Sequence, residues 1–230
     1  MRRFPNRTKG VLCILCSALC FSAMSAFVHL AGDLPVFEKA FFRNFVAAIL
    51  VVVIILVRRI PLRIQKNARP YVLMRCVFGT AGLVLNFYAI DKLNLADANM
   101  LNKLSPFFAI IFSFFLLGER VKPYQILCLI LAFIGALMII KPGMSSITSF
   151  PTFIGMLGGL GAGFAYTYVR IASKHGVKGP IIVLFFSVFS CLCSIPFTIP
   201  VFVMPSTRQL LFLFLTGFAA CGGQFSITAA

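Results

Sequence analysis

The sequence predicts an all-α membrane protein, a polytopic bundle of transmembrane helices. Two features support this class: eight long apolar segments, and a Lys/Arg content that alternates between the gaps separating them. Hydrophobic residues make up 60% of the 230 residues and charged residues only 11%, too few to cover a soluble surface. Most segments approach the ~20 residues that cross ~30 Å of hydrocarbon. The segments are 11–30, 40–57, 71–90, 98–118, 124–140, 152–169, 180–203 and 210–230.

The basic residues indicate which side of the bundle faces the cytoplasm. Fourteen of the 21 Lys and Arg residues lie before the first segment or in every second gap, whereas the alternate gaps hold four. Because short loops rich in Lys and Arg stay in the cytoplasm, we expect eight crossings of the cell membrane and a cytoplasmic N-terminus. The net charge of +16 then reflects topology and contact with anionic lipid headgroups, so the lipid bilayer is an expected partner and nucleic acid is not.

The second and third segments each contain an arginine, Arg43 and Arg75. Both lie only a turn or so from a predicted interface, so we expect their side chains to extend along the helix into water. Arg75 shares a helix face with Gly79, Gly82 and Asn86. Glycines let helices approach closely, while an amide within the bundle requires a polar partner. Asn86 is therefore a candidate substrate-binding residue.

The fourth segment carries the main candidate site, formed by Asn99, Asn102, Lys103 and Pro106 at three- and four-residue spacing. Pro106 cannot donate to the carbonyl of Asn102, so the helix should break there. A broken backbone inside a bilayer is tolerated mainly beside protein or a water-filled cavity, and we therefore expect these residues to line a substrate cavity. Two alternatives remain open: a kink with polar contacts between helices, and a Lys103 that extends to the outer surface.

The sixth segment combines small residues with a tyrosine. Gly155, Gly159 and Gly163 follow a small-xxx-small pattern that favours close helix packing. The glycine-rich stretch does not match G-x-G-x-x-G and follows no soluble strand, which excludes a nucleotide-binding loop. The hydroxyl of Tyr166 is available either to bind substrate or to anchor the helix, and Tyr166 completes the set of candidate substrate-binding residues.

The sequence offers no evident catalytic or metal site, and we expect no cofactor. The eight cysteines lie within apolar segments, where they act as small hydrophobic residues, and the Cys13-x-x-Cys16 pair has no second pair to complete a metal site. The two histidines, His29 and His175, fall at opposite ends of the predicted bundle. We therefore expect a protein that is not an enzyme. The alternatives are an intramembrane enzyme acting on lipid-linked substrates and a non-transporting helper subunit.

An internal repeat relates the two halves of the chain. A shift of about 145 residues superimposes Gly10 on Gly155, Pro35 on Pro180 and Phe41 on Phe186. The first unit has five helices, an odd number, so the second enters the membrane from the opposite side, as in many secondary transporters. We expect a first repeat at 1–141, an outer linker at 142–151 and a second repeat of three helices at 152–230. The chain ends within an apolar run, so we expect a C-terminal truncation that leaves eight of ten helices.

Four short motifs place the chain near a known family. The segments 87–90 (FYAI), 94–98 (NLADA), 104–108 (LSPFF) and 116–120 (LLGER) resemble an EamA-type carrier of the drug/metabolite transporter superfamily. The resemblance implies ten helices in two five-helix repeats, cytoplasmic ends and a central cavity. It implies a secondary transporter, or permease, whose small-molecule substrate is an organic metabolite and which works by alternating access. A homodimer in which two chains complement each other remains open.

Overall fold

A computed structural model describes residues 6–118, 122–140 and 150–229, and within these ranges the chain forms nine α-helices and no β-strand. The helices are α1 (Asn6–Leu30), α2 (Val36–Val57), α3 (Arg69–Lys92), α4 (Leu95–Asn102), α5 (Ser105–Leu117), α6 (Pro123–Ile140), α7 (Phe150–Lys174), α8 (Gly179–Thr198) and α9 (Thr207–Ala229). Short 3-10 helices occur at Lys66–Ala68 and Ile199–Val201. The predicted all-helical bundle is confirmed. Glu119 and Arg120 of the fourth motif lie outside the described residues.

Six stretches in the described ranges are long and apolar enough to cross a membrane, and the chain is a multi-pass membrane protein. These spans are Thr8–Leu30, Val36–Val57, Lys66–Lys92, Leu95–Leu117, Gly179–Val201 and Thr207–Thr228. Helix α6 contains a shorter apolar stretch, Pro123–Ala132. Helix α7 has 25 residues, about 37 Å at 1.5 Å per residue, but is not one of these six spans. The eight predicted segments therefore all correspond to helical regions, of which six meet both criteria.

The predicted break in the fourth segment is present. Helix α4 ends at Asn102, Lys103 is its C-cap residue, and α5 begins at Ser105 with Pro106 in its first turn. A proline is tolerated there because the first turn of a helix has no carbonyl for its missing N–H to reach. One predicted helix is therefore two, and at the turn between them Lys103 is exposed while Ser105 is buried.

The helices pack in pairs that repeat across the chain. The most extensive pairs join α3 to α7, α1 to α9 and α2 to α8. They are followed by α2 with α9 and α5 with α7, and then by α3 with α8. In two related repeats, α1, α2 and α3 would correspond to α7, α8 and α9. The α1–α9 pair then corresponds to the α7–α3 pair, and the α2–α9 pair corresponds to the α8–α3 pair. This symmetry is what two related repeats require. The repeat boundaries themselves stay a prediction, because 141–149 lies outside the described residues.

Glycines bring α7 unusually close to its neighbours. A Cβ atom added at Gly82 of α3 would lie 2.9 Å from the backbone nitrogen of Ala162 and 3.0 Å from the carbonyl oxygen of Gly158. On another side of α7, a Cβ at Gly159 would lie 2.7 Å from the carbonyl oxygen of Leu101 in α4. Helix α7 is thus held between α3 and the α4–α5 break, which places Tyr166 near the centre of the bundle.

Apolar side chains cover much of the outer surface. Leu19 is 73% exposed, Leu56 70% and Phe115 76%. Patches of this kind are rare on soluble monomers but suit contact with lipid chains. Several polar residues within the spans are buried instead, among them Arg43, Arg75 and Asn86.

Candidate substrate cavity

A cavity of about 60 Å³ lies inside the bundle and is lined by residues of seven helices. Its walls come from α1, α2, α3 and α4 on one side and from α7, α8 and α9 on the other. Aromatic, aliphatic and glycine residues form most of the surface. The polar lining residues are Arg43, Arg75, Asn86, Asn102, Tyr166 and Gln224.

Arg43 reaches the cavity from α2 and is only 3% exposed. Its Nε donates to the sulfur of Met24 across 3.2 Å. Its guanidinium carbon lies 5.9 Å from the ring centroids of both Phe87 and Phe186. The Nη1 atom is buried and has no hydrogen-bond partner among the described residues. The aromatic faces stabilise the cation, but one donor nitrogen stays free.

Arg75 approaches the same space from α3 and is 2% exposed. Its Nη2 donates to Oε1 of Gln224 across 3.0 Å, and its guanidinium carbon lies 4.1 Å from the Phe186 centroid. The Nε atom is buried without a partner in the described part of the chain. Gly79 makes room for this side chain, because a Cβ at that position would overlap Nη1 of Arg75.

The burial of the two arginines corrects the sequence prediction. We expected Arg43 and Arg75 to extend to the membrane interface, and that expectation is wrong because both side chains are enclosed between helices. Distance from a helix end indicated how far each residue lies from water. It carried no information about the direction of the side chain, which the rings of Phe87 and Phe186 and the amide of Gln224 determine.

The cavity brings together three of the six residues predicted to bind substrate. Asn86, Asn102 and Tyr166 line it. Asn99 is only partly buried and is not part of the lining, while Lys103 and Pro106 are exposed. A substrate-binding role for any of the six stays a prediction.

Sequence reasoning missed Gln224 as a cavity residue. It is 6% exposed in α9 and accepts a hydrogen bond from Arg75, 149 positions earlier in the chain. The available signal was an uncharged polar residue inside an apolar segment, the same signal that identified Asn86. Its partner was not available from the sequence, because the contact joins the two halves of the chain.

The arrangement is suited to binding a polar molecule. Guanidinium and amide groups provide donors, amide oxygens provide acceptors, and no described lining residue is acidic. A membrane-spanning bundle with a polar cavity between its two halves is the architecture of a membrane transporter.

The chain belongs to the EamA-like transporter family, which it matches over residues 8–141. It is 35% identical over 224 residues to the pseudopaline exporter CntI of Pseudomonas aeruginosa (strain UCBPP-PA14), covering 96% of this chain and 78% of that protein. It is 28% identical over 141 residues to human solute carrier family 35 member G1, covering 61% of this chain and 39% of the carrier. One solved crystal structure shares the fold, with a TM-score of 0.76 at 17% identity over 97% of this chain and 79% of that one.

Proposed function

We propose that this chain is a secondary carrier of small organic metabolites that works by alternating access in the cell membrane, with a cytoplasmic N-terminus. The observation that carries the proposal is the position of the cavity, whose wall combines α1–α4 with α7–α9. In carriers built from two repeats, a site at the repeat interface opens first to one side and then to the other as the halves rock.

The size of the cavity supports a moving carrier. Its volume of about 60 Å³ has room for a few water molecules. Pockets that hold drug-sized ligands are typically ~300–1,000 Å³. The cavity is smaller than such pockets, so we expect the site to enlarge when a metabolite binds.

The relatives and the chemistry of the wall support transport over catalysis. The likeness to a protein named as an exporter favours export of a small organic molecule. The described lining residues are donors, acceptors and apolar groups, without a nucleophile beside a general base. This wall is suited to bind and release a substrate unchanged.

Transport by the purified protein tests the proposal. The protein is reconstituted into liposomes and assayed for saturable exchange across a panel of amino acids, organic acids and nucleosides, with protein-free liposomes as the blank. Two substitutions on α3 form a matched pair: Leu83→Trp fills the cavity wall, whereas Leu73→Trp lies on a face that is 50% exposed. We expect exchange that Leu83→Trp abolishes and Leu73→Trp preserves, with both proteins melting as single folded species. A panel without any saturable substrate would contradict the proposal.

Accessibility from both sides tests the alternating mechanism. All eight native cysteines are free and can be replaced before a single cysteine is placed at Asn102. A membrane-impermeant thiol reagent should reach that cysteine from each side of the membrane, and a transported substrate should slow the reaction. Labelling from one side only, in the presence and absence of substrate, would exclude alternation.

A further inference from the structure

We infer that the substrate of this cavity is an organic anion whose carboxylate binds between Arg43 and Arg75. This inference deepens the proposed function and rests on it. It starts from the charge of the site: two cations line one buried cavity, and no acidic side chain is among the described lining residues. Burying a charge without a counter-charge is expensive within a membrane protein, so such a pair marks a functional site.

A buried lysine in the same molecule provides a comparison, because its charge is balanced within the fold. Lys39 is 1% exposed and its Nζ lies 2.6 Å from the Oδ1 atom of Asp91. Arg43 and Arg75 have no such partner among the described residues; each donates one hydrogen bond to a neutral group, Met24 or Gln224. The fold compensates one buried cation internally and leaves the positive charge at the cavity for a ligand.

The geometry of the two guanidinium groups suits a carboxylate. Both lie within 6 Å of the Phe186 ring centroid, at 5.9 Å for Arg43 and 4.1 Å for Arg75. Packing near the ring limits the freedom of both side chains, which lowers the entropy that binding would cost. Nη1 of Arg43 and Nε of Arg75 are buried and unpartnered in the described structure. Planar guanidinium donors match the two oxygens of a carboxylate, and such charge-assisted bonds are among the strongest in proteins.

The rest of the wall defines the remainder of the substrate. Asn86, Asn102 and Gln224 provide amide donors and acceptors, and Tyr166 provides a hydroxyl. Phe21 and Leu83 provide apolar surface. A carboxylate attached to a body with amine, amide or hydroxyl groups would satisfy both parts of the cavity, whereas a hydrocarbon or an organic cation would leave the arginines unpaired.

The first arm of the test is binding and needs no transport. Purified protein in detergent is melted with succinate or glutarate and with their neutral diamides, succinamide and glutaramide. We expect the acids to raise the melting temperature and the amides to have no effect. Arg43→Gln and Arg75→Gln should remove the effect, while Arg208→Gln keeps it. Arg208 is a matched control, because its guanidinium carbon lies 5.8 Å from the Phe212 ring but the residue is exposed.

The substitutions separate binding from a structural role. If the arginines serve the ligand, the ligand-free Gln variants melt at or above the wild-type temperature, since an uncompensated charge is gone. Arg75→Lys should keep part of the acid-induced rise in melting temperature, because it retains the positive charge but loses the planar pair of guanidinium donors. Ligand-free variants that melt well below wild type, together with acid-induced shifts of wild-type size, would overturn the inference. So would a wild-type protein that neither acid stabilises.

The second arm is exchange in liposomes. Transported compounds should carry a carboxylate, their methyl esters should fail, and each Gln variant should weaken the apparent affinity about 10- to 100-fold. Transport of compounds without an anionic group, at rates that neither variant changes, would contradict the anion site but not the proposal that the protein is a carrier. Transport of phosphate esters in place of carboxylates would also overturn the stated class. If the acids bind but no exchange is measured, the anion site is supported and the proposed carrier function is contradicted.

Discussion

The Nζ atom of Lys39 donates to Oδ1 of Asp91 across 2.6 Å and ties the first turn of α2 to the last turn of α3. Beside it, Oε2 of the buried Glu38 accepts a hydrogen bond from the backbone nitrogen of Val203 across 3.2 Å. These two contacts connect three elements at one end of the bundle. Lys39 precedes the cavity residue Arg43 by one helical turn, about 6 Å along α2. The layer that contains Lys39, Asp91 and Glu38 is therefore adjacent to the cavity within the bundle.

The first prediction concerns this ion pair. Asp91→Asn leaves the ammonium group of Lys39 buried without a counter-charge, and we expect it to lower the free energy of unfolding by about 1–3 kcal/mol. Lys39→Gln should cost a similar amount, because it leaves the carboxylate of Asp91, whose side chain is 20% exposed, without its partner. The double substitution removes both charges and should cost less than the sum of the two. Melting curves of the four proteins give the coupling directly, and additive losses would show that the pair contributes nothing.

The second prediction concerns helix contact. Gly82→Ala places a Cβ atom against the backbone of α7, where only main-chain movement can relieve the overlap. We expect a loss of about 1–3 kcal/mol in stability, typical of overpacking. Gly135→Ala in α6 is the matched control, because a Cβ there meets nothing within 4 Å. That substitution should be neutral or slightly stabilising, since alanine is the better helix former. Equal melting temperatures for the two variants would contradict the close α3–α7 packing.

Some of this architecture follows from the sequence and some does not. The α4–α5 break was predictable, because a missing N–H at Pro106 acts locally and any helix must respond to it. The positions of the helices were predictable from apolar runs alone. The direction of Arg43 and its contact with Phe186 were not, since they depend on how α2 and α8 meet across 143 positions. Asn86 and Asn102 line the same cavity because of the way their helices pack, which the sequence does not give. The three- and four-residue spacing in the fourth segment likewise could not show that Lys103 lies outside the cavity.

The third prediction is the orientation of the chain. The excess of Lys and Arg in alternate loops predicts that the segment before α3 and the one after α7 are cytoplasmic. A reporter inserted after Lys66 or Lys174 should read cytoplasmic, and one inserted in 202–206, between α8 and α9, should read external. The insertions avoid every residue of the cavity wall. An external signal at Lys174 would contradict the inverted orientation of the second repeat.

The last prediction separates two neighbours at the helix break. Asn102 lines the cavity, whereas Lys103, next in the chain and the C-cap of α4, is exposed. Removing one polar partner of a bound polar group costs ~1–3 kcal/mol, so Asn102→Ala should weaken the apparent affinity for a transported substrate about 5- to 100-fold. Lys103→Ala should leave that affinity near wild type, because an exposed ammonium group contributes little to a site that it does not touch. Concentration-dependent exchange in liposomes measures both, with the amount of folded protein matched by melting. A larger loss for Lys103→Ala than for Asn102→Ala would mean that the substrate contacts the break itself, and that the cavity extends to α5 once the two halves of the bundle separate.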